Sequence, residues 1–160
     1  MEHAQEWTDA LTSAVAVALR EMAGVQSALV GSTPVDGVPS AGEVSVVIRT
    51  FGAGPGSLRL SMPNTTASAL AHRILAETVP NPDEALIRDC IGEVANIIAG
   101  QAKTLLYGTL LHFSFSSPVQ DDFEPPPQAE GLQLTFGSDV GALSLTVYST
   151  TSTLPNQTRK

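Results

Sequence analysis

At 160 residues, 42% of them hydrophobic, the chain has the length of one ordinary domain and enough apolar content to fill a core of its own. Eight basic residues against sixteen acidic ones leave a net charge of -8, which repels phosphate backbones and anionic lipid surfaces, so nucleic acid is not expected as a partner. No stretch approaches the run of about 20 uncharged apolar residues that spans a bilayer; the best candidate, 91–106, carries Glu93, Asn96, Gln101 and Lys103, which argues against membrane insertion.

The N-terminus has acids, Glu2 and Glu6, where a secretory signal would have a basic region followed by an apolar one. A single cysteine, Cys90, excludes an internal disulfide and a cysteine-based zinc cluster. Together these point to a cytoplasmic location.

In chain order, Trp7, Leu11, Val15, Leu19 and Met22 recur at helical spacing and predict a first helix beginning near Glu2, which Gly24 can close. Strands are expected over Val25 to Val30, Glu43 to Thr50 and Ser57 to Met62. In the last of these Leu58, Leu60 and Met62 alternate with Ser57, Arg59 and Ser61, the pattern of a strand with one wet face. The glycine-rich Gly52 to Gly56 lacks the Lys-Ser/Thr of a phosphate-binding loop and no helix follows it, so it reads as a hairpin turn. A second helix is predicted over Thr65 to Thr78, stopped by Pro80. Asn81-Pro82-Asp83-Glu84 then starts a third, with Asn81 as the capping amide, and it runs to about Tyr107, closed by Gly108. Alternating runs at Leu111 to Phe115, Leu132 to Phe136 and Leu143 to Tyr148 predict a closing antiparallel meander. It is interrupted by an acidic, proline-rich loop over 120–130 that includes Asp121 and Asp122. The folded domain is taken as residues 1–150, with 151–160 as a disordered C-terminal tail.

The third helix carries most of the functional information. At about 100° per residue, Ile87, Ile91, Val94, Ile98 and Leu105 form the apolar stripe, with Cys90 at its edge. Opposite, within roughly 80°, fall Asp89, Glu93, Asn96, Gly100 and Lys103, so Glu93 and Asn96 project from one exposed face, one turn apart. Gly92 and Gly100 border this pair although glycine costs roughly 1 kcal/mol in a helix interior. Either they let helices cross within the fold, leaving Glu93 and Asn96 as a solvated face, or they let another surface approach.

Glu93-x-x-Asn96-x-x-x-Gly100, set in 89–102 and followed by Gln101-Ala102, resembles the signature helix of the CheC/CheX/FliY phosphatases, which act on phosphorylated CheY-type receiver domains. The order of helices and strands fits over nearly the whole chain. CheC-type proteins carry two such motifs, whereas the first helix here offers Glu6-Trp7-Thr8-Asp9 without the asparagine, so the single motif points to the CheX branch. The resemblance implies an α+β fold, an antiparallel sheet packed against three helices in a single domain. It also implies a homodimer joined edge to edge, for which Leu143 to Tyr148 is a candidate strand.

For this family an aspartyl phosphate on the receiver already sits beside Mg2+ and a lysine, so a phosphatase need only order a water in line with the phosphorus. The resemblance gives that role to Asn96, whose amide can both accept from and donate to a water. Glu93 takes the pairing with the receiver's lysine, which fixes register. Asp89, Gly92, Gly100 and Lys103 are the expected partner-binding residues. The Mg2+ belongs to the receiver; no cofactor is expected in this chain, whose His3, His72 and His112 stand far apart in sequence. Cys90 reads as a core thiol rather than a nucleophile, and no serine stands in a Gly-x-Ser-x-Gly elbow. The alternative to a phosphatase is a non-catalytic CheX-fold binding module or scaffold in two-component or chemotaxis signalling.

Overall fold

The structure, a computed structural model, describes residues 1–37, 42–52, 55–76, 78–120 and 130–149. Helix α1 spans Ala4–Ala23 and buries Trp7, Leu11, Val15 and Leu19, the stripe its periodicity predicts. Gly24 closes it in the left-handed region at φ 66°, its N–H donating to Arg20 O at 3.0 Å while Val25 N donates to Leu19 O at 3.1 Å.

Strands β1 (Ser27–Val35), β2 (Val44–Phe51) and β3 (Pro55–Met62) follow, then α2 (Asn64–Leu75) and α3 (Glu84–Leu105). Two-residue strands β4 (Ser114–Phe115) and β5 (Val119–Gln120) precede β6 (Glu130–Ser138) and β7 (Leu143–Ser149). All seven join one antiparallel sheet in the order β1-β6-β7-β3-β2-β4, with β5 also pairing to β2. The expected α+β fold, a sheet against three helices in a single domain, is what the chain adopts. The helices form a layer in which α3 contacts α1, α2 and β2, and α1 also contacts β1. Between layers lies the core, with Leu60, Leu134, Phe136 and Val147 from the sheet against Leu11, Leu70, Ile91 and Ile98 from the helices, each at most 1% exposed.

Several expectations are corrected. β7 is not an edge: it lies between β6 and β3, paired on both sides, because its helix-facing Leu143, Leu145 and Val147 fill the middle of the core. Nor is the second sheet face wet, since Ser57, Arg59, Ser61, Thr146 and Tyr148 are all buried there. On that face Ser45 Oγ donates across strands to Ser61 Oγ at 3.0 Å and Gly42 N also donates to Ser61 Oγ, while Ser57 Oγ is buried without a hydrogen-bond partner among the described residues. The Tyr148 hydroxyl donates to Gly37 O at 2.7 Å. Both ends of the connection from β1 to β2 therefore tie down on that face.

The strand expected over Leu111 to Phe115 shrinks to β4, because Thr109 holds the preceding residues in a turn. Its Oγ1 donates to Leu106 O at 2.8 Å and accepts from Leu111 N at 3.1 Å. β2 and β3 pair up to Phe51 opposite Pro55, as the expected hairpin requires. Residues 121–129 of the acidic proline-rich loop, Asp121 and Asp122 among them, and the whole C-terminal tail 151–160 lie outside the described residues.

Candidate functional site

Helix α3 starts at Asp83 rather than at Asn81: the Asp83 carboxylate accepts from Leu86 N at 2.9 Å, and Glu84 adds a second acid against the positive end of the helix dipole. Twenty-two residues give a rod of roughly 33 Å. Ile91, Val94, Ala95, Ile98, Ala99 and Ala102 are buried beneath it. Leu105, expected on that stripe, is 49% exposed, and Leu106 is buried instead, because the chain leaves helical geometry at that residue.

On the outward stripe Asp89 and Glu93 are exposed and Asn96, Gly100 and Lys103 half-buried. Asn96, expected to face solvent fully, is thus partly shielded. Among the described residues, none of Asp89, Glu93 and Asn96 has a hydrogen-bond or ion-pair partner. Lys103 leans over the Phe115 ring, its Nζ 6.0 Å from the centroid. Ile97, which sequence reasoning passed over, is 36% exposed next to Asn96. Its wheel position, about 40° from Glu93, would have flagged it.

The two glycines do not mark helix crossings. A β-carbon at Gly92 would lie 3.8 Å from Pro118 Cβ, and one at Gly100 would lie 4.0 Å from Phe115 Cζ, both ordinary contacts, the first to the link between β4 and β5 and the second to β4 itself. Alanine would fit at either position, so packing within the chain does not explain why the helix gives up propensity there.

Beside Glu93 opens a cleft of about 460 Å³. Arg88, Asp89, Gly92 and Glu93 line it from the helix; Val46, Pro118 and Val119 line it from the sheet side. Pro118 and Val119 could not be found from sequence, because only the pairing of β5 with β2 at Val47–Val119 brings them under α3. Asn96 does not line the cleft but stands one turn beyond it.

Cys90 is buried, and burial pushes its thiol pKa up, helped by the nearby carboxylates of Asp89 and Glu93. All three effects keep it protonated, the opposite of a nucleophile. The histidines serve locally: His72 Nδ1 donates to Ser68 O at 2.8 Å and His112 meets the Tyr107 ring edge-on. Among the described residues no three of His, Cys, Asp and Glu gather as a metal site would need, and no helix is long and apolar enough to cross a membrane.

This architecture recurs in solved structures. The chain is 23% identical to a protein of Desulfovibrio vulgaris Hildenborough assigned to chemotaxis, with a TM-score of 0.81 over 90% of this chain and 97% of that one. It is 21% identical to the chemotaxis protein CheX of a Desulfovibrio desulfuricans subspecies, with a TM-score of 0.79 over 90% and 99%. Against the CheX-CheY-BeF3-Mg2+ complex of Borrelia burgdorferi the identity is 21% and the TM-score 0.66, over 89% and 96%. No curated protein matches the sequence. The chain is thus an α+β domain with the fold of these three structures. More particularly, the family model described as Chemotaxis phosphatase CheX matches residues 44–124, and the chain belongs to the CheX family.

Proposed function

We propose that this protein is a phosphatase for the aspartyl phosphate of a CheY-type receiver domain, with Glu93 and Asn96 as its working pair. The observation that carries this is their common placement: one turn apart on the outward stripe of α3, neither side chain hydrogen-bonded or ion-paired to another described residue. An amide held on a rigid helix can present a water with both a donor and an acceptor, and orientation is the larger part of what an already metal-assisted phosphoryl transfer needs. Asn96 has no pKa suited to proton abstraction, so its contribution is positional. Glu93 is placed to meet the receiver's lysine and set register. Mg2+ is the receiver's; nothing in this chain is asked to hold it. Asp89, Gly92, Gly100 and Lys103 border the pair as partner contacts, Lys103 from its position over Phe115.

A cytoplasmic location goes with this reading, as does a homodimer. With β7 interior, the long edge strand that could join a second copy is β1, the opposite margin being formed by the two-residue strands β4 and β5. Light scattering that finds only monomer at tens of micromolar rejects the dimer.

The deciding experiment incubates the purified protein with phosphorylated CheY-type receivers and follows loss of phosphate. Acceleration that disappears in Asn96→Ala supports the phosphatase. Binding without acceleration by the parent protein replaces it with the non-catalytic binding module.

A further inference from the structure

The cleft beside Glu93 sets apolar lining next to the charged side chains of one helix, features that an interface hot spot combines. Val46, Ala85, Pro118 and Val119 supply apolar lining beside the polar Ser45, and Val119 is 46% exposed. Arg88, Asp89 and Glu93 are the charged side chains. These three charges are of mixed sign, so they do not select a strongly charged occupant. At about 460 Å³ the space is ample for a leucine, methionine or phenylalanine side chain.

Gly92 is the second observation. It lines the cleft from α3, and a β-carbon there would make only an ordinary contact with Pro118 at 3.8 Å, so nothing among the described residues forbids a side chain. What a side chain would do is fill the cleft. The glycine keeps the space clear, at a cost to the helix that only an occupant from outside would offset.

We propose that this cleft seats one large apolar side chain of the receiver domain, anchoring it about one turn before Asn96 and so fixing which receivers bring their phosphate to that residue. This rests on a receiver being the partner. Glu93 borders both the cleft and the catalytic stripe, so the anchor and the lysine contact lie on one continuous surface. The cleft then supplies affinity and selection, and Asn96 supplies rate.

The test uses the full chain and the CheY-type receiver that the parent protein dephosphorylates fastest, phosphorylated with a small-molecule phosphodonor. Gly92→Leu places a side chain in the cleft while improving helix propensity; Val119→Ser removes apolar lining from an already exposed position. The expected result is a KM raised at least about tenfold by Gly92→Leu and about threefold by Val119→Ser. Unlike the effect of Glu93→Ala, these losses persist when salt is raised from about 0.05 M to about 0.5 M, because an apolar contact is not screened. KM values within about twofold of the parent for both variants overturn the proposal. A loss that vanishes at high salt also overturns it, assigning the cleft to a charged side chain. Should Gly92→Leu fail to fold, Val119→Ser decides alone. A parent protein that neither binds nor dephosphorylates any receiver removes the functional reading itself, and the anchor with it; a parent that works while both variants match it removes the anchor alone.

Discussion

Helices α1 and α3 are nearly equal in length, 20 and 22 residues, and lie against each other, yet they treat their polar faces in opposite ways. At the start of α1 the outward polar groups are tied up locally, although further along Thr12 Oγ1 is buried without a hydrogen-bond partner among the described residues. Nδ1 of His3 donates to Glu6 Oε1 at 2.6 Å, Gln5 Nε2 to Asp9 Oδ1 at 2.8 Å, and Thr8 Oγ1 to Ala4 O at 2.7 Å. In the middle of α3, Asp89, Glu93 and Asn96 have no such ties among the described residues, and two glycines interrupt the face. A stretch of helix whose exposed polar groups are satisfied by its own turns is finished when the fold is finished. One that leaves an acid and an amide unengaged, and forgoes side chains next to them, is complete only against another surface.

The sharpest way to break this contrast is a substitution whose outcome should be purely structural. Leu11→Ala removes a side chain with no exposure from the α1 stripe, and about 2–5 kcal/mol of stability should be lost in chemical denaturation. Asn96→Ala should do the reverse. Chemical denaturation should change by less than about 1 kcal/mol, since no hydrogen bond is broken, while receiver dephosphorylation falls at least about tenfold, equivalent to roughly 1.4 kcal/mol of transition-state stabilisation. If rate and stability fall together, Asn96 belongs with Leu11 and the contrast fails.

Gly100→Ala sharpens the same point with opposite signs in one protein. Its β-carbon has room, so stability should rise by up to about 1 kcal/mol, while receiver affinity, measured by titration, falls. A gain in both would make the glycine an accident of sequence. The smallest effect is expected from Glu93→Ala, an exposed charge: a few-fold weaker receiver binding at low salt that fades as salt is raised. Affinity unchanged at every salt concentration would remove its register role.

What sequence could reveal followed from how local the signal was. The α1 stripe from Trp7 to Leu19 and the stripe of α3 from Ile91 to Ile98 are set by spacing along one element and were legible; so was the placement of Glu93 with Asn96, three residues apart on a helix. Nonlocal facts were not. That β7 lies inside the sheet depends on β6 and β3 flanking it, and the burial of Arg59 and Ser61 depends on what crosses the second face; alternation along a strand tells its two faces apart but cannot say whether the polar one meets water. Asp83 displaced Asn81 as cap because both residues suit the position and only the path of the chain decides. The cleft was invisible because its far wall comes from residues 118–119, about 25 positions away from the helix residues they face.

The outer margin of β2 is closed in an unusual way. β4 covers Thr50 and Phe51, β5 covers Val46 and Val47, and between them Ser116 bridges the gap, its N–H donating to Arg49 O at 3.0 Å and its Oγ accepting from Arg49 N at 3.3 Å. The same run of chain places Phe115 opposite Gly100 and Pro118 opposite Gly92. It is a splint, bound along the sheet on one side and resting against the helix on the other. Any body pressing on the exposed stripe of α3 therefore leans on this splint as well, and the amide hydrogens of Arg49 and Ser116, buttoned into the sheet margin, become a gauge: their exchange with solvent slows when the helix is occupied, reporting contact on a surface to which neither residue belongs.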